Sequence, residues 1–158
     1  MISDVGPDRA IRQDIIVRIR TIDQSVPLPH YSTDGAAGAD VHAWIQNPIN
    51  LLPGERHLIP TGLFVEIPFG FEIQVRSRSG LAIRDGLFVV NSPGTIDSDY
   101  RGEIKIILGN IGENPVTIQP LERIAQLVIC PVIQAHFEPV TRLSDTARAS
   151  GGFGSSGR

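Results

Sequence analysis

Apolar and polar side chains take turns along this chain in short runs, and glycine or proline ends nearly every run. In IIVRIRTI, Val17 and Ile19 face one way and Arg18 and Arg20 the other. ADVHAWI sets Val41, Ala43 and Ile45 against Asp40, His42 and Trp44, and FEIQVR sets Phe71, Ile73 and Val75 against Glu72, Gln74 and Arg76. A period of two is that of a strand with one buried face. HLIPTGLFVEI, GLFVV, EIKIILGN, PVTI, RIAQLVI and AHFEPV continue the series, giving nine or so expected strands. LPGE, PFG, SPG and GENP supply turns between them. Many short strands on such spacing predict an all-β antiparallel sandwich or barrel, possible in jelly-roll form. SGLAIRDG alone reads as a helix of one or two turns, with Ser79 as cap and Gly86 as stop.

A length of 158 residues suits one domain with one core. The 16 glycines and 12 prolines fit many turns and fall short of the share that marks disorder. With a net charge of −3 there is no basic footprint for duplex DNA, so any anion site has to be built locally. Cys130 is the one cysteine, which excludes an intrachain disulfide and makes a reducing cytoplasm the expected setting. Its apolar surroundings, LVICPVI, predict a buried, inert thiol. No apolar stretch approaches the ~18 residues of a membrane span, and MISDVGPDR is too polar for a signal peptide. Residues 1–14 lack periodicity and read as an extension, ahead of a β domain over 15–142 and a tail over 143–158.

The usual hydrolase signals are missing. Histidines 30, 42, 57 and 136 form no H-x-x-x-H pair, no G-x-S-x-G elbow occurs, and GGFGSSG lacks the lysine of a Walker loop. Polar groups gather instead where the alternation breaks. RSRSGLA (76–82) puts two arginines beside the start of the short helix, where backbone N–H groups can meet phosphate, although solvated arginines around a turn are the plainer reading. NSPGTIDSDYRGE (91–103) brings acids, a tyrosine and an arginine together after a tight turn. A carboxylate at Asp97 could deprotonate water there, or the segment is simply a solvated hairpin tip. SGGFGSSGR (150–158) has the composition of a frayed end, with Phe153 as the discordant residue.

Taken in order, AGADVHA, RSRSGLA, NSPGTIDSDYRGE, ERIAQLVI and RASGGFGSSG resemble the five motifs of the trimeric dUTP pyrophosphatases, or dUTPases. The resemblance implies a jelly-roll-like β-barrel, a homotrimer whose C-terminal arm is exchanged between subunits, and active sites at subunit junctions. It implies hydrolysis of dUTP to dUMP and pyrophosphate, keeping uracil out of DNA, with Mg²⁺ carried on substrate phosphates and water and no protein metal ligand. Asp97 is similar to the water-activating carboxylate. Asn91 and the hairpin backbone at Thr95 and Ile96 match the uracil reader, and Tyr100 matches the residue beneath the deoxyribose. Arg78, Ser79, Gly80 and Gln126 look like phosphate contacts, while Lys105 occupies a position near substrate. Arg148, Gly154, Ser155 and Ser156 resemble the strap that holds the γ-phosphate, with Phe153 stacking on uracil. Relatives commonly carry glycine at position 149, threonine at 156 and proline at 77; here these are Ala149, Ser156 and Ser77. A dCTP deaminase, alone or bifunctional, shares the implied fold. A non-catalytic nucleotide-binding module and a coat-type jelly roll are the alternatives of other classes.

Overall fold

Alternation fixes which face of each strand is apolar, and the two largest faces meet in one core. The computed structural model describes residues 15–152. The expectations for residues 1–14 and for Phe153, Gly154, Ser155 and Ser156 lie outside the described residues. Along the chain run β1 (Arg18–Thr21), β2 (His30–Tyr31), β3 (Ala39–His42), β4 (Ile49–Leu51), β5 (Arg56–Glu66) and β6 (Phe71–Arg76). Then follow α1 (Ser79–Asp85), β7 (Leu87–Val89), β8 (Gly94–Ile96), β9 (Glu103–Asn110), β10 (Val116–Ile118) and β11 (Arg123–Pro131).

A four-stranded sheet has the order β1-β5-β9-β7, a five-stranded sheet the order β2-β3-β11-β6-β8, and β10 pairs with β4. All of these pairings are antiparallel. Ile59, Leu63, Ile104, Ile106 and Leu108 from the first sheet join Val41, Ile73, Val75 and Leu127 from the second in one buried cluster. Burial of each such side chain contributes about 1.5–3 kcal/mol, which makes the two inner faces the main source of cohesion. Among the described residues no helix is long and apolar enough to cross a membrane.

Four expectations change. AHFEPV forms no strand: residues 132–150 carry neither strand nor helix apart from a turn at 147–150, and they are exposed throughout. The alternation is present, but its own chain offers it no neighbour. Ile19 is 36% exposed because β1 is the outer strand of its sheet, with the Arg20 guanidinium lying 3.7 Å from the centre of the Phe64 ring. Cys130 is half-buried rather than enclosed. Ser79 is the first helical residue and not the cap; Arg78, extended at φ −90° and ψ 124°, precedes the helix without a side-chain cap bond.

Gly86 does end α1, at φ +68°, with its amide bonded to Ala82 O at 3.2 Å. A Cβ there would lie 2.4 Å from Gly112 N, so the helix stop and the turn after β9 are packed backbone to backbone. Asn110 ties down the same corner. It is buried, its Nδ2 donates to Leu51 O (3.0 Å) and Asn114 O (2.9 Å), and its Oδ1 accepts from Gly112 N–H (2.8 Å). Asn110→Ala is expected to destabilise the protein by about 1–3 kcal/mol for each buried group left bare. Denaturant unfolding of parent and variant measures the loss.

Candidate active site

The polar groups excluded from the core collect around two clefts. The first, about 390 Å³, opens between β8 and β9 and is lined by Asn91, Thr95, Ile96, Asp97, Tyr100 and Lys105 together with Val75, Val89 and Glu103. Among the described residues β8 pairs only with β6 and is the outer strand of its sheet, so its other edge offers backbone groups outside the ladder. Gly94 is buried against Val75, and a Cβ on it would lie 3.1 Å from Asn91 Nδ2, which keeps the Asn91 amide close over the strand. Asp97 follows the last residue of β8 and is exposed. Its carbonyl accepts from Tyr100 N–H at 3.1 Å, and Arg101 closes that turn by donating to Ser98 O (2.7 Å) and Tyr100 O (2.8 Å). Arg101 therefore serves the turn's backbone.

Lys105 meets Glu103 at 3.5 Å, and the other Glu103 oxygen accepts from Gly62 N–H at 2.9 Å. Glu103 is thus held from both sides, and it fixes the direction of the lysine. The sequence had placed Glu103 in the polar hairpin without a role of its own.

The second cleft, about 350 Å³, is lined by Arg78, Ser79, Gly80 and Gln126 with Ser32, Gly38 and Asp40. Asp40, expected to face outward, is buried here. One of its oxygens pairs with Arg78 Nε and the other with Arg123 Nη1, both at 3.0 Å. Arg78 also donates to Arg123 O at 2.9 Å, so the guanidinium is fixed at two points. A buried carboxylate without such partners is strongly disfavoured, and the two cations explain why this one stays inside.

Gln126 donates to Ser77 O at 2.9 Å, and Gly38 leaves room for it, since a Cβ there would lie 2.1 Å from Gln126 Oε1. Ser77 accepts the Val89 N–H at 2.8 Å on its hydroxyl. The loop before α1 is fastened to β7 by that bond. Ahead of the helix, the first amides bonded to Arg78 O are those of Leu81 and Ala82, each at 3.1 Å, which leaves the Ser79 and Gly80 amides at the leading end.

Among the described residues the two clefts share none of their lining. The tail enters neither among the described residues. Arg148 donates from Nε to Gly151 O (2.8 Å), Gly151 N–H returns a bond to Arg148 O (2.9 Å), and Ala149 adopts φ +43°. The structure thus gathers six of the expected site residues in one cleft, four in the other, and leaves Arg148 on its own turn.

This combination of segments is matched along nearly the whole chain by the family model described as dUTPase, over residues 24–157. The chain belongs to the dUTPase family. A deoxyuridine 5'-triphosphate nucleotidohydrolase of Bdellovibrio bacteriovorus is 56% identical over 147 residues, 92% of this chain and 99% of that protein. One from Chlamydia pneumoniae is 58% identical over 137 residues, covering 86% and 94%. Among solved structures, the dUTPase of Staphylococcus bacteriophage 80alpha with dUpNHpp superposes with a TM-score of 0.80 at 26% identity, covering 90% of this chain and 99% of that one. Asp40, Arg123 and Glu103 have no role assigned from the sequence and gain one from the ion pairs and hydrogen bond they make in the fold. Asp40 does lie inside AGADVHA, but the alternation there puts it on the polar face.

His42, beside Asp40 on β3, has a buried Nδ1 without a hydrogen-bond partner. Burial pushes its pKa below the ordinary 6.5; Asp40 opposes the shift, while Arg123, Arg78 and His30 add to it. The unfolded chain therefore takes up the proton first. The stability tied to neutral His42 is complete above pH 6.5 and declines as the pH falls through the window beneath that value. Between about pH 7 and about pH 5 the melting temperature of the parent is expected to fall by more than that of His42→Gln.

Proposed function

We infer that the chain hydrolyses dUTP to dUMP and pyrophosphate in composite sites, each built from more than one copy of a homotrimer with a jelly-roll-like subunit. The observation that carries this reading is the separation of the two clefts. The residues read as base, sugar and water-activating groups line one, those read as phosphate contacts line the other, and among the described residues the clefts have none in common. Association of copies would bring the first cleft of one to the second cleft of another. Val132, Ile133, Phe137, Val140 and Leu143 are all exposed along the segment after β11, Ile133 at 96% and Phe137 at 90%. Such a run needs a covering surface, and exchange of the C-terminal arm with a neighbouring copy supplies one.

In the first cleft, the free edge at Thr95 and Ile96 together with Asn91 pairs with uracil. Cytosine reverses donor and acceptor at its exocyclic group and leaves buried partners unmet, at about 1–3 kcal/mol each. Tyr100 lies beneath the deoxyribose and crowds a 2′-hydroxyl, while Lys105 adds a positive charge beside the substrate. Asp97 orients a water and removes its proton as the oxygen attacks the innermost phosphorus. The O–P bond to the new dUMP forms, and the bond to pyrophosphate breaks.

Arg78, Gln126 and the backbone at Ser79 and Gly80 receive the departing phosphates. The tail closes over them through Arg148, Gly154, Ser155 and Ser156, and Phe153 stacks on the base. Triphosphate contacts offset the ordering of that tail, which costs about 1–2 kcal/mol per residue.

Among the described residues, no group of three or more His, Cys, Asp or Glu is arranged to hold a metal. Asp40 is the one carboxylate lining the phosphate cleft, and two guanidiniums already engage it. That donor set suits an ion whose ligands are phosphate oxygens and water. Mg²⁺ bound in this way supplies neutralisation of the triphosphate charge.

Asp97→Asn is expected to bind dUTP as the parent does and to lose about 10²–10⁴-fold in turnover. Pyrophosphate release beside a binding isotherm checks both halves, and turnover at the parent rate removes Asp97 from its role. Deletion of residues 148–158 is expected to abolish turnover while light scattering still reports the trimer. Full activity in the truncated chain would return the tail to a frayed end.

A further inference from the structure

Gly102 stands two residues beyond Tyr100, and the phenol ring occupies the space that a side chain at 102 would need. A Cβ built on Gly102 would lie 2.3 Å from Tyr100 Oη, 2.5 Å from Cζ and 3.0 Å from Cε2. Contact between such atoms normally begins near ~3.5 Å. The backbone of Gly102 is not in the left-handed region, which is populated by Gly54, Gly62, Gly70 and Gly86. An L residue is therefore acceptable to the backbone at 102 and is refused by the ring.

That refusal matters because little else holds the ring. Tyr100 is 45% exposed, so core packing does not fix it. Its hydroxyl donates to Glu103 O at 3.1 Å, folding the phenol back over Gly102 and along the wall of the first cleft. The turn beneath is itself rigid, through Tyr100 N–H to Asp97 O and the two bonds from Arg101. The backbone is set, and the remaining freedom is the swing of the ring about its own side-chain bonds. The flat surface of Gly102 and the hydroxyl bond remove that freedom.

We propose that Gly102 is a specificity-determining residue. By carrying no side chain, it fixes the Tyr100 ring at the position where the ring admits a 2′-deoxyribose and excludes a ribose. The inference rests on the assignment of Tyr100 to the sugar made above. Alanine at 102 would push the phenol off the turn and break its bond to Glu103 O. The ring then no longer matches the deoxyribose, and its clash with a 2′-hydroxyl is lost.

The test is the ratio of kcat/KM for dUTP to that for UTP in four proteins: the parent, Gly102→Ala, Tyr100→Ala and the double variant. Gly102→Ala is expected to lower the ratio by about tenfold or more. In the Tyr100→Ala background the same substitution is expected to change nothing, because there is no ring to displace. Binding of dUMP against UMP by calorimetry should follow the same pattern without any turnover.

A Gly102→Ala ratio within about twofold of the parent overturns the proposal, as does an equal loss with and without the ring. If Gly102→Ala does not fold, Tyr100→Phe removes the hydroxyl bond alone. The ratio must then fall as well, and an unchanged ratio overturns the proposal. Failure of the underlying reading looks different: a parent that does not hydrolyse dUTP sinks the activity, whereas an active parent whose Tyr100→Ala variant keeps full selectivity sinks the sugar assignment and this inference with it.

Discussion

The pairing of β5 with β9, at the centre of the four-stranded sheet, is interrupted between Pro60 and Leu63. Thr61 turns its hydroxyl to Ile104 O at 2.6 Å and takes the Leu63 N–H at 3.3 Å, so a buried polar side chain replaces the ladder bonds that the irregularity removes. The neighbouring Gly62 amide is left to point at Glu103. One displaced residue pair thereby serves the core on one side and aims a carboxylate, and through it Lys105, into the first cleft on the other. Bulges often turn side chains toward sites in this way. Continuous pairing would have given the Gly62 N–H a carbonyl and Glu103 no anchor.

The second cleft relies on a different device. Asp40 is buried on β3, yet the guanidiniums that satisfy it come from the entrance to α1 and from β11. Such an arrangement adds little net stability, because desolvation of Asp40 and partial desolvation of Arg78 offset much of the attraction, while Arg123 stays half-exposed. What it supplies is direction. Arg78 is held at both Nε and Nη1 and presents a cation at one place beside Gln126, whose own amide is fixed by Ser77 O.

The long strands β5, β6, β9 and β11 were legible in the sequence because each shows several cycles of alternation. β2 and β4, with two and three residues, are too short to show a period. AHFEPV differs: alternation gives a segment two unlike faces and says nothing about which chain provides its neighbour. Asp40 fails for a related reason. Its place in the pattern predicts solvent, and the partner that overrides the pattern lies 83 residues away. The residues of the first cleft between 91 and 105 were readable because they are adjacent in sequence. Glu103 and Arg123 were not, since their functions depend on contacts with Gly62 and Asp40 that folding alone creates.

Ala149 occupies the left-handed region at φ +43°, inside a turn in which its amide bonds to both the carbonyl and the hydroxyl of Thr146. Holding an L residue there costs about 1–2 kcal/mol, which a glycine would avoid. The same methyl group also narrows the conformations open to the chain when it is loose. Under the proposed closure of the tail over nucleotide, a base that is already wound leaves fewer arrangements to surrender, and part of the entropy of closure is spent beforehand.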